Sequence, residues 1–295
     1  MSGRRRCNED TNLVENEQGK NGCLAEHGLS VYLETGKHKL LVDTGATDAF
    51  LRNAEFLGID LKEVDILILS HGHYDHGGGI LTFSKINPRA RIYIREDAFA
   101  KYYHERERGT DYIGLDPVIR GLPQVVVVGG DLRLDEELYL FTNVAGRRMW
   151  PEGNRELRVR KDGALVQDDF RHEQYLIVNC DGKEILLSGC AHNGILNILD
   201  RYREIRERYP DFVISGFHMM KDGEYTEEDK KVIRQTAREL QKMPTRFVTG
   251  HCTGIPAYKM LKEILGEQIR YLRKRRRAGS VCLDVKVYLA AEGIA

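Results

Sequence analysis

The sequence lacks an excess of either charge: Lys+Arg and Asp+Glu each number 45, giving no net charge at neutral pH. That is poor support for a dedicated nucleic-acid binder, whose affinity comes largely from neutralising phosphates. Long apolar runs are also missing. None approaches the ~18 residues of a membrane span, and the opening Met1-Ser2-Gly3-Arg4-Arg5-Arg6 has no apolar signal-peptide centre. A cytoplasmic protein without a membrane partner is expected. The six cysteines, at 7, 23, 180, 190, 252 and 282, include no C-x-x-C pair. This excludes a zinc ribbon and favours reduced thiols over a disulfide scaffold. There is no G-x-S-x-G elbow and no Walker A loop, so serine hydrolysis and nucleotide-driven transfer lack their usual residues.

What the chain does have is concentrated in residues 66–79, Ile-Leu-Ile-Leu-Ser-His-Gly-His-Tyr-Asp-His-Gly-Gly-Gly. The run Ile66 to Leu69 is short, β-branched-rich and bounded by a turn signal, which predicts a buried strand. His71, His73, Asp75 and His76 follow at once, four possible metal ligands within six residues. Alternation along an extended loop points His71 and His73 the same way, towards one ion, and leaves Asp75 and His76 to face a second. Imidazole with carboxylate suits zinc, iron or manganese better than calcium or magnesium. The glycines are expected to let the chain turn sharply beneath the ligands.

The pattern of an apolar strand followed by a ligand repeats along the chain. Leu40-Leu41-Val42 delivers Asp43, Glu184 to Leu187 leads to Cys190 and His192, Asp211 to Ser215 leads to His218, and Arg246 to Thr249 leads to His251. Helices are expected at Asp48–Leu57, after Ile80, from Ile195 to Ile205, from Thr226 to about Lys242 behind a capping pattern, and from Ala257 to Leu265. With 41% hydrophobic residues in 295, the chain can bury a substantial core. Residues 1–10 read as a disordered tail and 11–295 as a single domain. Within it, the irregular stretch at about 96–170 reads as a lid or substrate insertion carrying Arg147, Arg148 and Lys161. The lysine–arginine run at 273–277 reads as an exposed turn before a last strand, Ser280 to Val287.

His71-Gly72-His73-Tyr74-Asp75-His76 is the H-x-H-x-D-H signature of the metallo-β-lactamase superfamily, which this sequence resembles over roughly residues 11 to 280. Val42-Asp43-Thr44-Gly45, Ser188-Gly189-Cys190-Ala191-His192 and Thr249-Gly250-His251-Cys252 resemble its other conserved strand ends. The words Ala25-Glu26-His27-Gly28, Gly189-Cys190-Ala191-His192-Asn193-Gly194 and Phe217-His218 resemble one branch. That branch comprises metal-dependent hydrolases related to the dihydropterin–ribofuranosylaminobenzene-phosphate synthase. The resemblance implies an α/β fold, an αββα sandwich of two mixed sheets packed face to face with helices outside.

It also implies one or two divalent ions, zinc first and iron or manganese next. His71, His73 and His192 are expected at the first, and Asp75, His76 and His251 at the second. Cys190 stands where relatives place a cysteine or a bridging aspartate, and is expected as a ligand or a supporting thiol. His172 is an alternative to His192. Asp43 is expected to accept an imidazole N–H and fix a ligand's orientation. Asp75 and His218 are the expected catalytic groups, one orienting or deprotonating water and the other ligating, binding phosphate or protonating the leaving group. Glu26, His27, Arg147 and Arg148 are expected to meet the substrate. The implied function is hydrolysis of a small anionic ester, phosphorylated or pterin-like. The alternative is transfer with release of pyrophosphate, as in the synthase. A di-iron redox centre is disfavoured, because such relatives typically place glutamate where this chain has His73. A non-catalytic binding module would have lost ligands.

Overall fold

The computed structural model describes residues 9–16, 23–180 and 182–272. Residues 1–8, the basic run 273–277 and the expected last strand lie outside the described residues. Glu9 and Asp10 are not tail: they open the strand Glu9–Val14, which pairs antiparallel with Ser30–Glu34.

Two sheets face each other. The first runs in the order Glu9–Val14, Ser30–Glu34, Lys39–Val42, Ile66–Ile68, Arg91–Arg95, Val125–Val128. The second runs Ile269–Tyr271, Arg246–Thr249, Phe212–Ser215, Lys183–Leu187, Tyr175–Cys180, Leu138–Phe141, Leu132–Arg133. Both are mixed. Lys39–Val42 to Ile66–Ile68 and Lys183–Leu187 to Phe212–Ser215 are parallel, whereas the hairpins flanking them are antiparallel.

Alternation within each strand builds the layers. Ile66 and Ile68 join Leu40, Val42, Ile185, Leu187, Phe212 and Ile214 between the sheets. Leu67 points the other way, into a cluster with Phe50, Leu57, Ile80 and Phe83 of the helices Ala49–Leu57 and Ile80–Ile86. Leu186 likewise leaves the centre to pack with Ile198, Leu199, Tyr202, Ile233 and Leu261 of the helices Ile195–Arg206, Glu227–Gln241 and Ile255–Leu265. Strands buried on both faces have to be apolar at every position, which is why Ile66 to Leu69 shows no polar alternation. The result is the αββα sandwich. Thr226 and Asp229 form the expected capping box, each side chain bonding the other's backbone N–H. Among the described residues, no helix is long and apolar enough to cross a membrane.

Residues 96–170 are not one insertion. Their two most apolar runs, Val125–Val128 and Leu138–Phe141, are claimed by the two main sheets. Only Tyr102–Arg106, Gly109–Tyr112, Leu157–Lys161 and Ala164–Gln167 stand apart, as a small antiparallel sheet. Cys23, Cys190 and Cys252 are free and buried, whereas Cys180 is disulfide-bonded. The expectation of reduced thiols therefore holds for three of the four described cysteines.

Candidate metal centre

The strand ends deliver their ligands to one edge of the sandwich, and several do so through strained backbone. Asp43, Ala191, His218 and His251 all have positive φ, between 48° and 61°. Left-handed backbone at a non-glycine residue costs about 1–3 kcal/mol each and persists only where the surroundings impose it. The glycines after His76 serve a different purpose from the one expected. Gly78 carries no positive φ, but a Cβ there would lie 2.1 Å from the Ala46 carbonyl oxygen. It lets the ligand loop press directly on the loop that follows Asp43.

Four candidate ligand groups result among the described residues, and two of them hold most of the expected ligands. His71, His73 and His192 bring one nitrogen each within 4.8 Å of one another, and Asp75, His76, Cys190 and His251 do the same with their own ligand atoms. All seven residues are buried. Cys190 also groups with His192 and His218, so its sulfur lies between the two sets.

The ring orientations follow from what holds them. Asp43 accepts from the Ser70 backbone N–H at 2.7 Å and from the Ser70 hydroxyl at 2.7 Å. Its second oxygen also takes the His76 Nδ1–H at 2.6 Å, as expected for an orienting carboxylate. Because the Ser70 hydroxyl proton goes to Asp43, its oxygen accepts the His71 Nδ1–H at 2.9 Å. Asn16 Oδ1 takes the Gly28 N–H and the His251 Nδ1–H. Asn154 Oδ1 takes the His192 Nδ1–H at 2.9 Å. Four rings, those of His71, His76, His192 and His251, therefore turn Nε2 to the centre. His73 faces His71 through Nδ1, at 3.1 Å from His71 Nε2.

The groups differ electrostatically. Burial holds His71 and His192 well below the ordinary histidine range, and burial together with His172 pushes His73 down to about 3. These rings are neutral at physiological pH. The buried Nε2 of His192 has no hydrogen-bond partner. Orphaned buried nitrogen is costly unless something else binds it, so the donor set fits a divalent ion. In the second group burial would lower His76, but Asp43 and Asp75 overcome it and raise it to about 9. Burial likewise opposes ionisation of Asp75, yet His76 and His251 keep it well below the usual carboxylate range. Burial pushes the Cys190 thiol well up.

Other expected residues are distributed unevenly. His218 is half-buried, with its ring 4.1 Å from that of His192 and its Nδ1 unpartnered. His172 groups with His73 and Asp168 and not with His71 and His73 in the place of His192; its Nδ1 accepts the Gly72 N–H at 2.9 Å, which leaves Nε2–H to donate to Asp168 at 3.0 Å. It props up the ligand loop instead. Glu26 is engaged by the Ala46 N–H and the Thr47 hydroxyl, so it braces a loop and does not face a ligand. His27 is half-exposed, with Nε2 3.4 Å from Asp75. Arg147 stays beside the centre, donating to Asn193 at 3.1 Å, but Arg148 is drawn away into ion pairs with Asp200 and Glu239. Lys161 pairs with Asp169.

Sequence reasoning missed Asn16, Ser70, Asn154, Asp168 and Glu173. Glu173 accepts from the backbone of His192 and Asn193 and from Tyr175, fixing the loop that carries His192. Only Ser70 and Glu173, each adjacent to a histidine in sequence, left any signal.

Comparison with known proteins agrees with this geometry. Residues 25–148 match the family described as the Metallo-beta-lactamase superfamily. An uncharacterized protein of Methanocaldococcus jannaschii is 29% identical over 260 residues, covering 85% of this chain and 93% of its own. The 7,8-dihydropterin-6-methyl-4-(beta-D-ribofuranosyl)-aminobenzene-5'-phosphate synthase of the same organism is 28% identical over 288 residues, covering 88% and 92%. Among solved structures, a metal-dependent hydrolase of the beta-lactamase superfamily superposes with a TM-score of 0.72 at 28% identity, over 92% of this chain and 96% of its own. A metallo-beta-lactamase fold protein from Bacillus subtilis shares the fold, at 13% identity and a TM-score of 0.52, over 90% and 96%.

Proposed function

Since the chain belongs to the metallo-beta-lactamase superfamily, we propose that it is a metal-dependent hydrolase of small anionic esters, phosphorylated or pterin-like. The observation that carries this is the convergence of the neutral His71, His73 and His192 rings, with His71 fixed from behind by Ser70 and His192 by Asn154. His71 Nε2, His73 Nδ1 and His192 Nε2 would hold a first ion. Asp75, His76 and His251 would hold a second, with the Cys190 thiol between the two. When bound, such an ion supplies an activated water at neutral pH and polarises the oxygen under attack; zinc suits this donor set best, with iron or manganese next.

The protein's own groups divide the remaining work. Asp75, held far below the usual carboxylate range, stays anionic and orients the attacking water more readily than it keeps a proton. His218, with Nδ1 unpartnered beside His192, is placed to hand a proton to a leaving oxygen. Arg147 is the cation that meets the substrate's negative charge; Arg148 is not, because its guanidinium is engaged elsewhere. The segment 146–156 forms the substrate-side cover.

A panel of phosphomonoesters, phosphodiesters and pyrophosphates, offered to zinc-loaded protein, tests the reading. Turnover that disappears in His73→Ala supports it, and no turnover with any substrate counts against it. The similarity to the dihydropterin synthase favours a second reading, transfer with loss of pyrophosphate. Product analysis separates them, since a coupled pterin adduct means transfer and hydrolysed diphosphate alone means hydrolysis.

A further inference from the structure

The side chain of Asn154 touches His192 at both ends. Its Nδ2 donates to the His192 carbonyl at 2.7 Å, and its Oδ1 accepts the His192 Nδ1–H at 2.9 Å. It is wholly buried. It belongs to the turn Glu152–Glu156, part of the cover, and not to either main sheet. The same cover is fastened to the His192 loop elsewhere. Arg147 donates to Asn193, and the backbone N–H and carbonyl of Arg148 bond the Asn197 side chain at 2.9 and 3.0 Å. At its centre the turn lies against His218: a Cβ on Gly153 would be 3.3 Å from His218 Nε2. Trp150, the only tryptophan of the chain, sits on this cover with its ring 5.7 Å from Phe170, which stacks flat on His192 at 4.6 Å.

We propose that Asn154 is a positioning residue that makes ion occupancy at His71, His73 and His192 and the placement of the cover 146–156 one equilibrium. This rests on the reading that those three histidines hold an ion. Because Oδ1 fixes the Nδ1–H tautomer, the His192 lone pair is aimed at the ion only while Asn154 is in place. Because Nδ2 grips the same residue's carbonyl, Asn154 is in place only while the cover is docked. Linkage is reciprocal, so the ion stabilises the docked cover by as much as the docked cover tightens the ion. Arg147, the residue that would meet the substrate, is thereby set by the state of the metal centre.

The test uses the full chain, stripped of metal and titrated with zinc at pH 7 against a chromophoric chelator, with Trp150 emission followed in parallel. In the wild type, emission is expected to change in step with the tighter zinc equivalent. Asn154→Ala should weaken that equivalent about 10–100-fold, the usual effect of losing a partner behind a ligating histidine, and leave the other unchanged. Asn154→Asp keeps an acceptor for Nδ1–H but cannot donate to the carbonyl. It should recover only part of the zinc affinity, with the emission change moving to the same higher zinc concentrations, a joint shift that a role in the ring tautomer alone would not produce. If Asn154→Ala does not fold, the Asn154→Asp arm decides alone. Zinc held by Asn154→Ala as tightly as by wild type, or full zinc affinity in Asn154→Asp with emission no longer following zinc, overturns the proposal and leaves the metal reading standing. A wild type that takes up no zinc removes the metal reading and the proposal with it.

Discussion

His71, His73 and His192 make one kind of candidate ligand group, and Asp75, His76, His251 and Cys190 make another beside it. The first contains no carboxylate, and burial keeps its rings neutral far below physiological pH. The second is built around an anion, and the same carboxylates that orient His76 also give it a proton, raising it to about 9. A metal entering the first group displaces nothing. A metal entering the second must expel the His76 proton, and a further one if Cys190 ligates. Metal affinity and proton affinity compete for the same lone pairs. The two halves of one centre should therefore respond differently to acid, although every ligand in both lies at the same sheet edge.

The largest expected effect breaks the first group outright. His73→Ala should lose about one equivalent of zinc and all measurable turnover, as elemental analysis and the substrate panel would show; retained turnover would remove His73 from the centre. Next is the support of the second group. Asp43→Ala leaves buried His76 and Ser70 without their acceptor and should cost about 3–5 kcal/mol, read as a lower urea midpoint. A shift of a few tenths of a kcal/mol would mean that the Asp43 contacts are incidental.

Proton competition comes third. His76 has a folded pKa above its unfolded value, so its contribution to metal-free stability is fully present below about 6.5 and is lost as pH rises through about 9. Zinc affinity of the second group runs the opposite way, rising about tenfold per pH unit for each proton displaced until about pH 9. The first group has lowered pKa values, so its affinity should be flat over the same range. In metal-free protein these rings should destabilise the fold only as pH falls below about 6.5 towards the value of about 3 at His73. Equal pH slopes at the two sites would erase the distinction. The smallest effects concern the paired arginines. Arg147→Ala should raise KM about tenfold with kcat little changed, on the order of a lost charge-assisted hydrogen bond. Arg148→Ala, which only breaks exposed ion pairs, should change stability by no more than about 0.5 kcal/mol and leave KM alone. A KM that rises in Arg148→Ala and not in Arg147→Ala would reverse the assignment.

The residues gathered at the sheet edge were legible because each follows an apolar strand, and such a strand announces both itself and the edge where it ends. Asp43, His71, His192, His218 and His251 could all be placed in this way. Their supports could not be. Asn154 reaches His192 from 38 residues away and Asn16 reaches His251 from 235, with no local pattern linking the members of either pair. Asparagine carries no periodic signal, since its role is set by whichever loop passes nearby. Arg147 and Arg148 are adjacent and chemically alike, and only the turn of the cover sends one to the centre and the other to helix residues Asp200 and Glu239. The small sheet was hidden for another reason. Gly109–Tyr112 is exposed throughout, so no hydrophobic alternation marks it as a strand.

The most direct measurement is zinc binding to the metal-stripped chain at pH 6.5 and at pH 8.5, with the number of ions and both affinities determined. Two ions are expected, one held equally well at both pH values and one tightening by about a hundredfold or more between them. No zinc at either pH, or two ions with the same pH dependence, would contradict the picture of a neutral and a protonated half sharing one metal centre.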